Sequence, residues 1–303
     1  VDTEALQRLL QRIVGSGARS IGLLGSTGTY MYLARTERRR ATEAAIEAVG
    51  GRLPVIVGVG ALRTDEAVAH ARDAAAAGAD ALLLAPVSYT PLTQEEAFQH
   101  YQAVAGATDL PLCVYNNPST THFSFSADLI GRLAVLPTIR AVKMPLPGNG
   151  DVSGEIARLR RIVPPDFAIG YSGDWGAAEA LLAGADAFYS VAGGLFPRPM
   201  AALTSAAMAG DESGTARLDA MFSPLWELFK AHGSLRVMYA AANLMGLSSA
   251  LPPRPLLPLG PISRQRSTRR SRLSARTDHG TRLRRLPPRQ RMVRASRTSL
   301  GCG

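Results

Sequence analysis

Residues 54–60 read Pro-Val-Ile-Val-Gly-Val-Gly, a nearly continuous apolar run ended by glycine. A strand covered on one face alternates apolar and polar residues, whereas a strand covered on both faces does not. This run is therefore expected to be a buried strand of a parallel sheet. Residues 35–49 before it and 64–77 after it are Ala-rich and amphipathic, the pattern of surface helices. The alternation continues outward in both directions. Apolar runs of similar length occupy residues 20–25 (SIGLLG), 81–87 (ALLLAPV), 111–116 (PLCVYN), 139–144 (IRAVKM), 167–171 (FAIGY) and 187–193 (AFYSVAG). Helical patterns fill 93–107, 126–136, 150–162 and 176–183, and Ala-Gly-Ala-Asp turns at 77–80 and 183–186 close helices and restart strands.

Seven βα units in series imply an α/β fold with a parallel sheet and right-handed crossovers. A doubly wound nucleotide-binding sheet needs G-x-G-x-x-G after its first strand, and neither Gly25-Ser-Thr-Gly28 nor Gly58-Val-Gly60 completes it. The regular series instead predicts a (β/α)₈ TIM barrel over residues 1–195 with one strand unaccounted for. The chain opens without Met in a helical pattern at 3–14. The expectation is that the first strand is missing from this chain, cut away or never recorded. A C-terminal helical region follows over 196–259, with helices at 198–209, 215–230 and 234–245 and a Pro-rich exit at 251–258.

Charge divides the chain at the same place. Of 34 basic and 24 acidic residues, residues 260–303 hold 13 arginines and one acid, Asp278, leaving 21 bases and 23 acids for the first 259. The overall net charge of +10 thus belongs to the tail, and the body gives no support to a nucleic-acid role. The tail is rich in Arg, Ser and Pro, lacks aromatic residues and shows no periodicity. It reads as out-of-frame sequence first, which also explains why no final apolar helix follows. An inert disordered extension and a disordered RNA-binding tail are the other readings, and the absence of stacking aromatics counts against the last. No run is long enough to span a membrane and no secretory leader is visible, so a cytoplasmic protein is expected. Two cysteines, Cys113 and Cys302, make neither a disulfide framework nor a metal knuckle. The five histidines (His70, His100, His122, His232 and His279) show no ligand spacing, so neither a metal nor another cofactor is expected.

The chemistry is sought at the C-terminal ends of the strands, where barrels carry their active sites. Lys143 ends the run 139–144 and is one of only two lysines beside 32 arginines. Alternation puts it on one face with Ile139 and Ala141, the barrel interior. Desolvation there disfavours the ammonium, and a neutral amine can attack a ketone to form a Schiff base. The bland alternative is a rim lysine whose tip reaches solvent or a carboxylate. Tyr115, near the end of the preceding strand, is close enough across the sheet to share a site and relay protons, or else is a packed rim tyrosine. The turn Gly25-Ser26-Thr27-Gly28 offers backbone N–H groups and two hydroxyls to a small carboxylate. Tyr89, Ser172-Gly173-Asp174 and Gly193-Gly194 occupy other loops on that face.

Together, G-S-T-G after an early strand, Y-N-x-P, a lysine ending the next strand and S-G-D after the following one resemble the dihydrodipicolinate synthase / N-acetylneuraminate lyase family. The similarity runs from about Thr3 to Pro258. It implies a barrel followed by C-terminal helices, assembled as a homotetramer of tight dimers or as a homodimer. It implies that Lys143 forms an imine with pyruvate or another 2-keto acid, without metal, before a C–C bond forms or breaks with an aldehyde partner. Tyr115 would shuttle protons, and Thr27 would link it to a second tyrosine. Ser26, Thr27 and Gly28 would hold the keto-acid carboxylate, with Thr120, Gly173 and Val191 completing the substrate site. Tyr89 matches, with one residue of slack, the tyrosine that the family lends across its dimer interface. Three departures accompany this. Thr120 stands where lysine-pathway synthases carry an arginine for the second substrate's carboxylate, Met144 stands where they often carry Glu, and Ser26-Thr27 is closer to the sialic-acid lyases. A 4-hydroxy-tetrahydrodipicolinate synthase-like paralogue is expected. A 2-keto-3-deoxy sugar-acid aldolase or dehydratase, and a catalytically dead barrel, are the alternatives.

Overall fold

The apolar runs become seven parallel strands paired in chain order: β1 (Ile21–Leu23), β2 (Val55–Gly58), β3 (Ala81–Leu84), β4 (Leu112–Tyr115), β5 (Ile139–Pro145), β6 (Ala168–Ser172) and β7 (Ala187–Phe188). The computed structural model describes residues 1–260. Between the strands run α2 (Arg35–Val49), α3 (Thr64–Ala76), α4 (Gln94–Ala105), α5 (Pro118–Thr121), α6 (Ala127–Ala134), α7 (Val152–Arg160) and α8 (Ala177–Leu182); α1 (Thr3–Ile13) precedes β1.

Strand alternation separates two cores. Leu23, Val57, Leu84, Val114, Val142 and Ile169 face the helices in the larger cluster. Leu83, Ala85, Cys113 and Tyr115 face the other way, in a small cluster joined by Ile56, Ala141 and Tyr189. The sheet is strongly curled. Tyr189 Oη, just beyond β7, lies 3.3 Å from Cys113 Sγ on β4. Three strand spacings in a flat sheet span about 14 Å, farther than a tyrosine side chain reaches. From the other end, Ser26 beyond β1 comes within 3.5 Å of Tyr115 Oη at the tip of β4. Residues from both ends of the sheet thus converge on one interior.

Helix ends follow side-chain chemistry. Asp2 accepts from Ala5 N at the start of α1, and Thr93 with Glu96 forms a capping box on α4. Beyond β7, α9 (Pro197–Met208), α10 (Glu212–His232) and α11 (Ser234–Leu244) form a second core around Leu203, Trp226, Phe229 and Val237. Arg12 of α1 donates to Leu195 O at 3.0 Å, tying the first helix to the segment that leads into it. Among the described residues no helix is long and apolar enough to cross a membrane. The readings of the tail fall on residues 261–303, outside the described residues.

Two local expectations are corrected, and one element is new. Ile139 does not share a face with Lys143. The register shifts between Leu112↔Ile139 and Cys113↔Ala141, so Arg140 is extra and Ile139 turns into the helix-side core. The seventh strand stops at Phe188 rather than continuing to 193, because the N–H groups of Val191 and Ala192 donate to the Asp174 carboxylate instead of a strand. The one-turn helix α5 was not expected from the sequence; Pro118 at its first turn starts it.

Candidate active site

Tyr115 and Lys143 are register partners on β4 and β5, and both point into the curled interior. Lys143 Nζ lies over the Tyr115 ring, 3.8 Å from its centroid. The Tyr189 ring flanks the same nitrogen at 5.3 Å. Beneath them, burial pushes the Cys113 thiol up to about 11 and raises the Tyr189 phenol, so both remain protonated. Gly170, opposite Lys143 on β6, makes room for this arrangement: a Cβ there would stand 2.7 Å from Tyr189 Cε2.

The loop after β1 reaches the same point through a tight turn. Leu24 sits at φ 56°, left-handed backbone that costs a non-glycine residue roughly 1–2 kcal/mol. Its carbonyl folds over Gly58, where any Cβ would lie 1.9 Å from Leu24 O. The turn brings Ser26 to the phenol: Ser26 Oγ donates to Tyr115 Oη at 3.5 Å. Thr27 is half-buried beside it, and Gly28 is exposed at a point where a Cβ would stand 3.0 Å from Leu24 Cα.

Asn117, which sequence reasoning missed, supplies the shorter contact. Its Nδ2 donates to Tyr115 Oη at 2.9 Å and lies 3.4 Å from Ser26 Oγ. The signal was present as the second Asn of Tyr115-Asn-Asn-Pro118, two residues from the tyrosine and fixed by the following proline. Thr120 is exposed, and its hydroxyl donates to Asn117 O at 3.3 Å, within its own helical turn.

Asp174, singled out within Ser172-Gly173-Asp174, is a buried loop clamp. Its carboxylate accepts from Ser190 Oγ and from the backbone N–H groups of Val191 (3.0 Å) and Ala192 (2.9 Å). Burial raises its pKa, and these three hydrogen bonds oppose the rise. Gly173 takes φ 105°, which only glycine adopts readily. Val191 packs with the C-terminal helical core, while Tyr189, two residues earlier, takes the inward position beside Lys143. Tyr89 is 96% exposed in the loop after β3 and does not reach into the site. A separate cavity of about 540 Å³ opens between α2 and α3, lined by Tyr30, Arg38, Glu66 and His70 and touching neither Lys143 nor Tyr115.

A curled parallel sheet of seven strands, with a lysine and a tyrosine paired at its strand ends, is an α/β scaffold of the TIM-barrel kind. The sequence model of the dihydrodipicolinate synthetase family matches residues 1–275. The chain belongs to that family. It is 34% identical over 282 residues to the 4-hydroxy-tetrahydrodipicolinate synthase of Laribacter hongkongensis, covering 91% of each chain. To the enzyme of the same name from Thiobacillus denitrificans it is 37% identical over 268 residues, covering 87% of this chain and 86% of that one. Among solved structures, the dihydrodipicolinate synthase of Agrobacterium tumefaciens is 61% identical with a TM-score of 0.85, over 86% of this chain and 88% of that one. The Acinetobacter baumannii synthase, solved with pyruvate, is 32% identical with a TM-score of 0.79, over 86% and 88%.

Proposed function

We propose that this chain is a Schiff-base lyase or aldolase that condenses pyruvate, or another 2-keto acid, onto Lys143. The observation that carries this is the register pair itself: a lysine amine on the face of a tyrosine whose oxygen is held by two polar side chains. Nζ attacks the C2 carbonyl carbon, and the carbinolamine oxygen leaves as water, with Tyr115 as the proton source. The iminium then serves as the electron sink when a C–C bond to the aldehyde forms or breaks. The Ser26-Thr27 turn holds the carboxylate of the keto acid. No metal or other cofactor enters this scheme.

The curated relatives carry the name of a synthase, and synthase activity is the first reading of the reaction. Thr120 favours a second one. Its hydroxyl is engaged within α5 and carries no positive charge for an anionic acceptor. A neutral, hydroxyl-bearing aldehyde released by cleavage of a 2-keto-3-deoxy sugar acid, or the hydroxyl-bearing chain of such an acid undergoing loss of water, suits that position better. A homotetramer or homodimer is part of the proposal, and Tyr89, exposed in this chain alone, is the residue assigned to that interface. So is an eighth strand between β7 and β1, which together with the helices after β7 would complete a (β/α)₈ barrel. A cytoplasmic location completes the proposal.

The test is turnover of pyruvate with a panel of aldehydes that includes aspartate semialdehyde and neutral aldoses. Lys143→Ala abolishes every activity the wild type shows, whereas Lys230→Ala, on α10, leaves it unchanged. Activity surviving in Lys143→Ala would refute the proposal.

A further inference from the structure

A phenol oxygen can accept hydrogen bonds as well as donate one, and its neighbours decide which it does. Tyr115 Oη has two neighbours that donate to it: Asn117 Nδ2 at 2.9 Å and Ser26 Oγ at 3.5 Å. With the Asn117 amide donating to it, the phenol gives its own proton to an atom other than that amide.

The orientation of Asn117 is fixed from both sides. Pro118 keeps it out of the helical region, at φ −140° and ψ 72°, and its carbonyl accepts from the N–H groups of Thr120 and Thr121 at 3.0 Å each. Ser119 Oγ donates to Asn117 Oδ1 at 2.8 Å, which turns the amide so that its NH₂ faces Tyr115 and Ser26. The order Ser119, Asn117, Tyr115 is thus a directed chain of donors ending at the phenol.

Resting on the imine reading above, we infer that Asn117 is a positioning residue that holds Tyr115 as the proton donor to the departing carbinolamine oxygen. In that step the phenol O–H protonates the hydroxyl, the C–O bond breaks and water leaves. The nitrogen lone pair closes the C=N bond, giving an iminium cation and a tyrosine phenolate. Asn117 N–H and Ser26 O–H stabilise the phenolate as it develops, in a half-buried site where such donors act strongly. A proton taken back from solvent then restores the phenol.

The experiment uses Asn117→Leu, which keeps the shape without the donor, and Asn117→Asp, which offers an acceptor in its place. Each is mixed with pyruvate, and the imine on Lys143 is trapped with borohydride and timed by mass spectrometry. The maximal rate of adduct formation is expected to fall about 10- to 100-fold in Asn117→Leu and further in Asn117→Asp. The half-saturating pyruvate concentration should stay within about twofold, the split expected when an interaction acts only in the transition state. Should Asn117→Leu fail to fold, the exposed Ser119→Ala frees the amide to turn and slows the same step about two- to fivefold. Variants that react at the wild-type rate, or that change only the half-saturating concentration, overturn the role of Asn117 and leave the imine reading standing. A folded wild type that forms no adduct overturns both.

Discussion

Lys143 Nζ stands 3.8 Å above the centre of the Tyr115 ring, and backbone register between β4 and β5 sets the two residues side by side. The pairing rests on backbone register rather than on a loop, so both side chains are anchored on neighbouring strands. A cation on the ring face is favoured by about 0.5–2 kcal/mol, which suits the iminium proposed for this nitrogen.

Replacing Tyr115 with Phe keeps the ring face and removes the oxygen. The maximal rate is expected to fall about 10²- to 10³-fold, the range for loss of a proton-transfer group. Long incubation with pyruvate and borohydride should still label Lys143. Steady-state turnover and the trapped yield check the two parts, and an unchanged rate would remove Tyr115 from the chemistry.

The Tyr189 ring fits over β6 only because residue 170 lacks a side chain. Gly170→Ala is expected to destabilise the protein by roughly 1–3 kcal/mol through overpacking. Adding Tyr189→Leu should recover at least about 0.5 kcal/mol of that loss, since the two positions share the space. Urea denaturation of the four chains in the cycle measures this coupling, and strictly additive costs would place the ring elsewhere.

His70 provides a pH dependence with a defined sign. Burial, followed by the Arg38 guanidinium, lowers its pKa from 6.5 to about 4, with Asp73 acting in opposition. Between those values the unfolded chain binds a proton that the folded chain does not. Its contribution to stability is therefore complete above about pH 6.5 and is lost as the pH falls toward 4. Wild type should lose more unfolding free energy than His70→Asn between pH 7.5 and pH 5 in urea titrations. Equal losses would contradict the assignment.

Much of the framework was legible because buried parallel strands announce themselves. Their runs at 54–60 and 81–87 are too apolar for any half-exposed element, and Ala-rich amphipathic stretches separate them. Lys143 stood out because this chain uses arginine almost everywhere else. What escaped notice depended on register and on reach across the sheet. The extra residue at Arg140 turns Ile139 to the helix side, and no local pattern marks it. Tyr189 lies inside an apolar run that extends to 193, and only Asp174, distant in sequence, ends the strand where the ring can turn inward. Asn117 was given no role of its own, although its carbonyl starts α5 while its amide reaches the phenol.

Borohydride trapping of wild-type protein with pyruvate, mapped by peptide mass spectrometry on a sample shown by circular dichroism to be folded, tests the central claim most directly. The account predicts one reduced adduct, on the peptide carrying Lys143 and absent from Lys143→Ala. Folded protein that stays unlabelled, or label on Lys230 instead, would contradict it.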